Sequence, residues 1–499
     1  MIRLPATSLG ASLTAEQRAA VGARASRLYI EAAPGSGKTT VAAHRFAVQR
    51  FQRTAVIDPR AVVAVSFTRA ATWELATRIR RHWGRIGVTR PHRVITLDTL
   101  IYDLLVSLLR GGHLLWPGGH IELDVRDTWK SVVEPSFTNR GVRITLLGSR
   151  AVAVPRIYEK AFSQPQPAGV AKCINAGMCT HEDVRELLAL ALQKPELRQF
   201  AVERLEATTR ALIVDEVFDA NDLDLEVVRL AADANAEVTL IGDPWQALYR
   251  FRGARPDLVP ALVADLHAES AQLTTSFRWR SSAQAQLAAD LRASKPIAVV
   301  RGDASDVLDV VLAAEWKHLW DLNASVLPLA FGSAKWNIPE AGATLLLDYV
   351  TRAVLALPAV YRDDALSTLG IEDPEVSARL DLLWPDVLDR LRTPGKPGLV
   401  AAYNGIVAAL ATESSAVFPE VRGNYTKRLG WLRERIVQPI DPIPGLTVHQ
   451  AKGREWDRVG VALTDDHHGS LSQGLSHEVT AHRLIYVACT RARESTIAV

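Results

Sequence analysis

RLYIEAAPGSGKTTVAAHRFAVQRF, residues 27 to 51, is the stretch that decides the fold. Its apolar run from Leu28 to Glu31 predicts a strand, and the residues from about Lys38 predict an amphipathic helix. Between them lies a loop of small residues, Ala32-Ala33-Pro34-Gly35-Ser36-Gly37-Lys38-Thr39. It fits the phosphate-loop pattern except that Ala32 stands where the strict pattern has glycine. Strand, glycine-rich turn and helix in that order suit an anion. Backbone N–H groups point at it, the helix N-terminus adds positive dipole, and a lysine reaches the outer phosphates. Ala33, Pro34, Gly35, Ser36, Gly37, Lys38, Thr39 and Thr40 are therefore the expected nucleotide-binding segment. Thr39 offers its hydroxyl to Mg²⁺, and a plain Gly/Ser turn is the competing reading.

A phosphate loop needs a second part, a strand that ends in a carboxylate near the metal and a base for the attacking water. ALIVDEVFDAND, residues 211 to 222, supplies four apolar residues running into Asp215 and Glu216. Taken alone it reads as an ordinary strand end. Beside the phosphate loop, Asp215 becomes the expected Mg²⁺ partner and Glu216 the expected catalytic base.

The whole chain has 499 residues and a formal net charge of +3, so it predicts several domains and no global field for nucleic acid. Three cysteines, Cys173, Cys179 and Cys489, argue against a disulfide framework. Cys173, Cys179 and His181 fall short of the four protein ligands that a structural zinc site takes. The N-terminal stretch lacks the apolar core of a signal peptide, and no apolar run is long enough to span a membrane. The expected location is the cytoplasm.

Further stretches, in order along the chain, resemble the motifs of the UvrD/Rep type of superfamily 1 helicases. SLTAEQRAAV, with Gln17, is similar to the family's Q motif and implies that Gln17 reads the adenine. VVAVSFTRAATWELATRIR (62–80) resembles the segment that places Phe67 and Thr68 on single-stranded DNA, with Ala70 in place of the usual lysine. TLDTLIYDLL, from Thr96, resembles a further element in which Asp98 replaces a histidine. TLIGDPWQALYRFRGA (239–254) implies that Gln246 senses the γ-phosphate while Tyr249, Phe251 and Arg252 face DNA. LTTSFRWRSS (273–282) implies a γ-phosphate contact at Arg278 and an adenine-stacking ring at Phe277. LTVHQAKGREWDRVGVAL (446–463) implies His449 and Lys452 on the DNA backbone and Glu455 on the ribose. HRLIYVACTRARES (482–495) makes Arg491 the implied arginine finger.

The expected fold class is α/β, with two RecA-like P-loop motor domains of parallel strands flanked by helices, each carrying a mostly helical insertion. The first motor domain is expected at 1–105 and 195–270, interrupted by a helical accessory insertion at 106–194. The second is expected at 271–345 and 436–499, carrying Arg278, His449 and Arg491, with a reduced insertion at 346–435. VLDVVLAA and SVLPLAF are expected as strands of that second domain, a reading that rests on their apolar runs. The resemblance implies an ATP-dependent 3′-to-5′ translocase or helicase, cofactors ATP and Mg²⁺, and single-stranded or tailed duplex DNA as partner. Its setting is DNA repair or antiphage defence, where the compact layout resembles Gabija-type helicase subunits. The chain stops eight residues after Arg491, so any nuclease activity is expected from a separate subunit. A second reading is a nucleotide-gated DNA-binding regulatory subunit of a nuclease complex, with weak or no unwinding. Its motive is Phe218, an apolar ring where the family places a glutamine.

Overall fold

The predicted strand before the phosphate loop forms at Arg27–Ala32 and sits inside a parallel sheet. The structure, a computed structural model, describes residues 13–52, 58–302, 307–332, 337–371, 373, 375–414, 416–437 and 441–499. The N-terminal residues 1–12, read above for a signal peptide, lie outside the described residues. Two units separate along the chain, the first ending at Arg278 and the second beginning at Trp279.

The strands of the first unit are β1 (Arg27–Ala32), β2 (Ala61–Ser66), β3 (Arg93–Thr96), β4 (Asp124–Arg126), β5 (Pro135–Leu147), β6 (Arg150–Pro165), β7 (Met178–Thr180), β8 (Thr209–Asp215), β9 (Glu237–Gly242) and β10 (Glu269–Leu273). Six of them make one sheet in the order β10-β1-β9-β8-β2-β3, and every pairing is parallel. Parallel strands need both faces covered, which is why β2 and β8 read as continuous apolar runs and are buried throughout. Their side chains alternate between two cores. Val63, Val65, Leu212 and Val214 enter one; Val62, Ala64 and Ile213 join Ile30, Val41 and Phe46 in the other.

The first of these cores also contains Leu114, Ile144, Leu187 and Leu205. The segment expected at 106–194 as an accessory insertion therefore shares its core with the sheet instead of forming its own. It is also not mainly helical. β5 and β6 form an antiparallel ribbon beside the helices Pro167–Asn175 and His181–Leu192.

The first boundary needs correcting as well. β10 pairs with β1 along its length, from Leu28↔Glu269 to Ala32↔Leu273, so the chain leaves the first sheet only after residue 273. Arg278, expected in the second domain, belongs to the first unit.

In the second unit β11 (Val310–Ala313), β12 (Val326–Pro328), β13 (Ile443–Thr447), β14 (Trp456–Ala462) and β15 (Ala492–Ala498) form a parallel sheet in the order β12-β13-β11-β14-β15. VLDVVLAA and SVLPLAF supply β11 and β12. The helical segment begins earlier than expected, at helix Ile338–Leu355, and runs to helix Gly423–Ile436. Its core holds Leu346, Trp384, Ile406 and Leu432 and is joined to the sheet through Leu327. Buried Arg435 ties that last helix down, donating to the carbonyls of Val326 and Trp320 at 2.9 and 2.8 Å. Among the described residues no helix is long and apolar enough to cross a membrane.

Candidate nucleotide-binding site

All strands of the first sheet run the same way, so everything that follows a strand C-terminus gathers at one edge, where ligands of open α/β sheets bind. The phosphate loop follows β1, and Phe67 and Thr68 follow β2. Asp215 ends β8, Gln246 follows β9, and Phe277 and Arg278 follow β10.

Two glycines let the loop close. Gly35 has φ 73°, and a Cβ there would lie 2.6 Å from both Arg278 Cβ and Ser276 Oγ. Gly37, at φ 84°, precedes the helix Lys38–Phe51, and a Cβ there would meet Gln17 Nε2 at 2.8 Å. The segment after β10 locks onto the loop through these close approaches. The Phe277 N–H donates to Gly35 O at 3.0 Å, and Ser276 Oγ donates to Pro34 O at 2.8 Å. The Phe277 ring is left 59% exposed beside the loop.

Gln17 is buried, and both ends of its amide are used by the protein. Its Oε1 accepts from Thr14 N at 3.0 Å, closing the capping box of helix Ala15–Gly22, and its Nε2 donates to Ser36 O at 2.8 Å. Gln17 thus fixes the loop's backbone as well as standing at the implied adenine side. Glu16, one residue earlier, accepts from Thr274 Oγ1 at 2.5 Å and from Thr275 N and Thr274 N at 3.2 and 2.9 Å, and these bonds hold its carboxyl below the ordinary glutamate range.

Asp215 and Glu216 are separated by a change of backbone. Asp215 completes the strand and is buried, with Oδ1 lacking a hydrogen-bond partner among the described residues. Glu216 takes the left-handed conformation, φ 61°, and is only half-buried. A non-glycine residue there carries strain, and it turns the second carboxylate away from the strand direction. Burial pushes the Asp215 carboxyl up to about 7, the negative charge of Glu216 pushes the same way, and Lys38 pulls against both. The buried Ser36 Oγ also lacks a partner among the described residues. Orphaned oxygens beside a glycine loop and a lysine fit a magnesium-bound nucleotide. Among the described residues no group of three His, Cys, Asp or Glu side chains forms a metal cage.

Sequence reasoning did not assign Asp243. It is fully buried after β9, and its Oδ2 accepts from Gln246 Nε2 at 2.7 Å, which holds the amide in place. The signal was available in the Asp-Pro-Trp-Gln turn, where a short acidic side chain caps the next turn. Arg78 was also missed. It donates to Thr40 Oγ1 at 3.0 Å, linking helix Arg69–Trp83 to the loop.

Two of the departures from the family pattern, Asp98 and Phe218, have structural reasons. Asp98 accepts from Arg185 Nε at 2.6 Å, and Arg185 also reaches buried Asp224 at 2.9 Å, so the carboxylate that replaces a histidine is part of an ion triad. Phe218 is buried in the core. Its ring meets Tyr29 edge-on at 6.4 Å and occupies the space that a Cβ at Gly242 would need, 2.7 Å away.

On the first unit the residues implied to touch DNA form an aromatic and cationic patch. Tyr249 and Phe251 have ring centroids 6.1 Å apart, and the Arg252 guanidinium lies 5.2 and 5.5 Å from the two. Phe251 is 66% exposed. Phe67 packs partly on the core, while exposed Thr68 caps helix Arg69–Trp83 by accepting from Ala71 N at 3.1 Å. The same helix carries Trp73, 68% exposed, which sequence reasoning passed over. Trp73 lies one turn beyond Ala70 on one face, and a helical side chain covers the turn before its own Cα. The small Ala70 leaves that turn open to the indole.

On the second unit His449 and Lys452 sit on and just after the helical turn Val448–Ala451, both half-buried. Glu455 accepts from Arg493 at 3.1 Å. Arg491 begins the approach to β15, is 1% exposed, and donates from Nε to Val487 O at 3.1 Å.

Two family models match the chain. The UvrD/REP helicase N-terminal domain matches residues 13–113 and 150–266, and the UvrD-like helicase C-terminal domain matches 428–497, together more than half of the chain. The chain is 28% identical over 302 residues to DNA helicase II of Escherichia coli, covering 54% of this chain and 39% of that protein. It is 24% identical over 300 residues to the putative ATP-dependent DNA helicase YjcD of Bacillus subtilis, covering 55% and 38%. To the ATP-dependent DNA helicase Rep of Salmonella typhimurium it is 25% identical over 254 residues, covering 48% and 36%. It thus spans about two fifths of the length of these curated relatives.

Proposed function

The chain belongs to the UvrD/Rep helicase family, and from that premise we propose that it hydrolyses ATP on single-stranded DNA and uses the cycle to move 3′ to 5′ along the strand. The observation that carries this reading is the buried Asp215 oxygen without a partner, at the same sheet edge as the glycine loop and Gln246. A buried carboxylate oxygen without a partner costs stability unless a ligand completes it.

In this mechanism the loop from Ala33 to Thr40 binds the phosphates through backbone N–H groups, and Lys38 neutralises their outer charge. Mg²⁺ supplies charge neutralisation on the phosphates when bound, and Thr39 and Asp215 are the residues that hold it. Glu216, less buried and turned by its left-handed backbone, takes the proton of the attacking water. Gln246, fixed by Asp243, and Arg278, fixed by the loop contacts of its neighbours, report the terminal phosphate. Arg491 acts as the arginine finger. Phe277 stacks on the adenine, Gln17 borders it, and Glu455 meets the ribose.

Single-stranded DNA lies over Phe67, Thr68, Trp73, Tyr249, Phe251 and Arg252 of the first unit and over His449 and Lys452 of the second. Aromatic faces suit single strands because every base has a face to stack on, worth about 1 to 3 kcal/mol per base. The biological setting is DNA repair or antiphage defence in the cytoplasm, with a separate nuclease as a working partner in the second case. The regulatory-subunit reading loses its motive, because Phe218 packs against Tyr29 and Gly242 within the core. The test is ATP turnover with and without single-stranded DNA, and strand separation on 3′-tailed against 5′-tailed duplexes. A preference for the 5′ tail would reject the stated polarity.

A further inference from the structure

The β5–β6 ribbon has no role in the chemistry above, yet it carries a marked excess of positive charge. Residues 135–165 hold five basic residues and one acidic, a net of +4, while the whole chain carries +3. Arg140, Arg143, Arg150, Arg156 and Lys160 are all exposed. Among the described residues none of them has a carboxylate within the 4.0 Å of an ion pair. Elsewhere in the same unit some arginines are compensated: exposed Arg110 by Glu122, and half-buried Arg126 by Asp124, Arg198 by Glu226 and Asp233, and Arg255 by Asp222 and Asp257. Glu186, on helix His181–Leu192, feels Arg143 and Arg156 without closing to an ion pair with either.

The register arranges these cations. Gly141 pairs with Arg156, Arg143 with Val154, and Leu147 with Arg150, so Arg143, Arg150 and Arg156 share one face. The opposite face, with Ile144 and Ala151, is buried in the core. Three guanidinium groups therefore line the outward face over roughly 20 Å, a length in which one strand of a duplex carries about six phosphates. Arg156 also lies 5.1 Å above the Tyr158 ring, and Tyr158 meets Phe162 edge-on at 5.0 Å. β5 falls within 114–149, between the two segments that the N-terminal family domain matches.

We propose that this ribbon is a sequence-independent grip on the phosphate backbone of double-stranded DNA, separate from the single-strand patch at the sheet edge. A two-stranded ribbon has the width that a DNA groove admits, and arginine forks suit phosphate oxygens. The proposal rests on the DNA-motor reading only for its biological sense. The binding itself is testable without ATP.

The experiment measures affinity for a blunt duplex across a salt series, in the full chain without nucleotide. The variants carry Arg143→Gln, Arg150→Gln and Arg156→Gln together, or the same three positions as Arg→Lys. The glutamine variant is expected to bind the duplex at least tenfold more weakly at low salt. Its slope of log affinity against log salt falls by about 2 to 3, since each phosphate contact contributes roughly 0.9. The lysine variant keeps most of the slope, which separates charge from misfolding. ATP turnover on oligo-dT should stay within twofold of the wild type in both. Unchanged duplex affinity and slope in the glutamine variant would overturn the ribbon's assignment even where the motor works. Ribbon-dependent binding of polyglutamate together with an unchanged duplex slope would overturn it too, in favour of an acidic protein surface. A wild type without DNA-stimulated turnover whose glutamine variant still loses duplex binding would reject the motor and leave the ribbon standing.

Discussion

Asp215 shows how one residue trades stability for chemistry. Its carboxyl is held up to about 7 by burial and by Glu216, against 3.8 for an ordinary aspartate. Between those values the folded protein binds more protons than the unfolded chain, so this group's contribution falls as pH rises through that window. Asp215→Asn should therefore raise the melting temperature of the first unit in nucleotide-free protein. The gap over wild type should widen between pH 5 and pH 8, by a few degrees at an effect of about 1 to 2 kcal/mol. The same variant should lose Mg²⁺-dependent nucleotide turnover. A melting curve at two pH values checks the sign. Phe218 makes the opposite case. Restoring the family's amide with Phe218→Gln buries a polar group where the ring now fills space beside Gly242, and should cost about 3 kcal/mol or more. Phe218→Leu should lose less stability and keep DNA-stimulated turnover, which a residue that couples hydrolysis to DNA would not allow.

Among elements, the junction between the phosphate loop and the segment after β10 sets the site's precision. Gly35→Ala would place a methyl 2.6 Å from Arg278 Cβ at a φ of 73°. The left-handed strain alone costs roughly 1 to 2 kcal/mol, so the loop is expected to shift and ATP affinity to fall at least tenfold by equilibrium titration. Arg185 plays a comparable part for the helices around the first core. Arg185→Ala leaves Asp224, whose side chain is 3% exposed, without its counter-charge. It should lower unfolding free energy by about 3 to 5 kcal/mol in a denaturant series. These elements differ in how plainly the sequence announces them. The loop was read from small residues and a lysine at close, fixed spacing, the Asp215–Glu216 pair from the apolar run that ends in it, and Gln246 from the resemblance of its motif. β10 was not, because ESAQL is a mostly polar edge strand in which only Leu273 is buried. The ribbon was hidden for a similar reason, since its exposed strands carry no clean alternation. The Asp98–Arg185 pair joins residues 87 apart, a contact that no local pattern encodes.

At the scale of the whole molecule, two parallel sheets each gather candidate residues at strand ends, one sheet from residues 27–273 and the other from 310–498. The order of motifs along the chain revealed that division, although the first boundary lay later and the first insertion shared the sheet's core. The central claim is that Asp215 and Glu216 serve DNA-stimulated ATP hydrolysis. It is tested most directly by steady-state ATP turnover on saturating oligo-dT, comparing wild type with Glu216→Gln. Wild-type turnover should rise with oligo-dT, and the variant should fall about 10²- to 10⁴-fold below it, the range that a positioned general base supplies. Wild-type turnover that does not respond to the oligonucleotide, or that equals the variant's, would contradict the account.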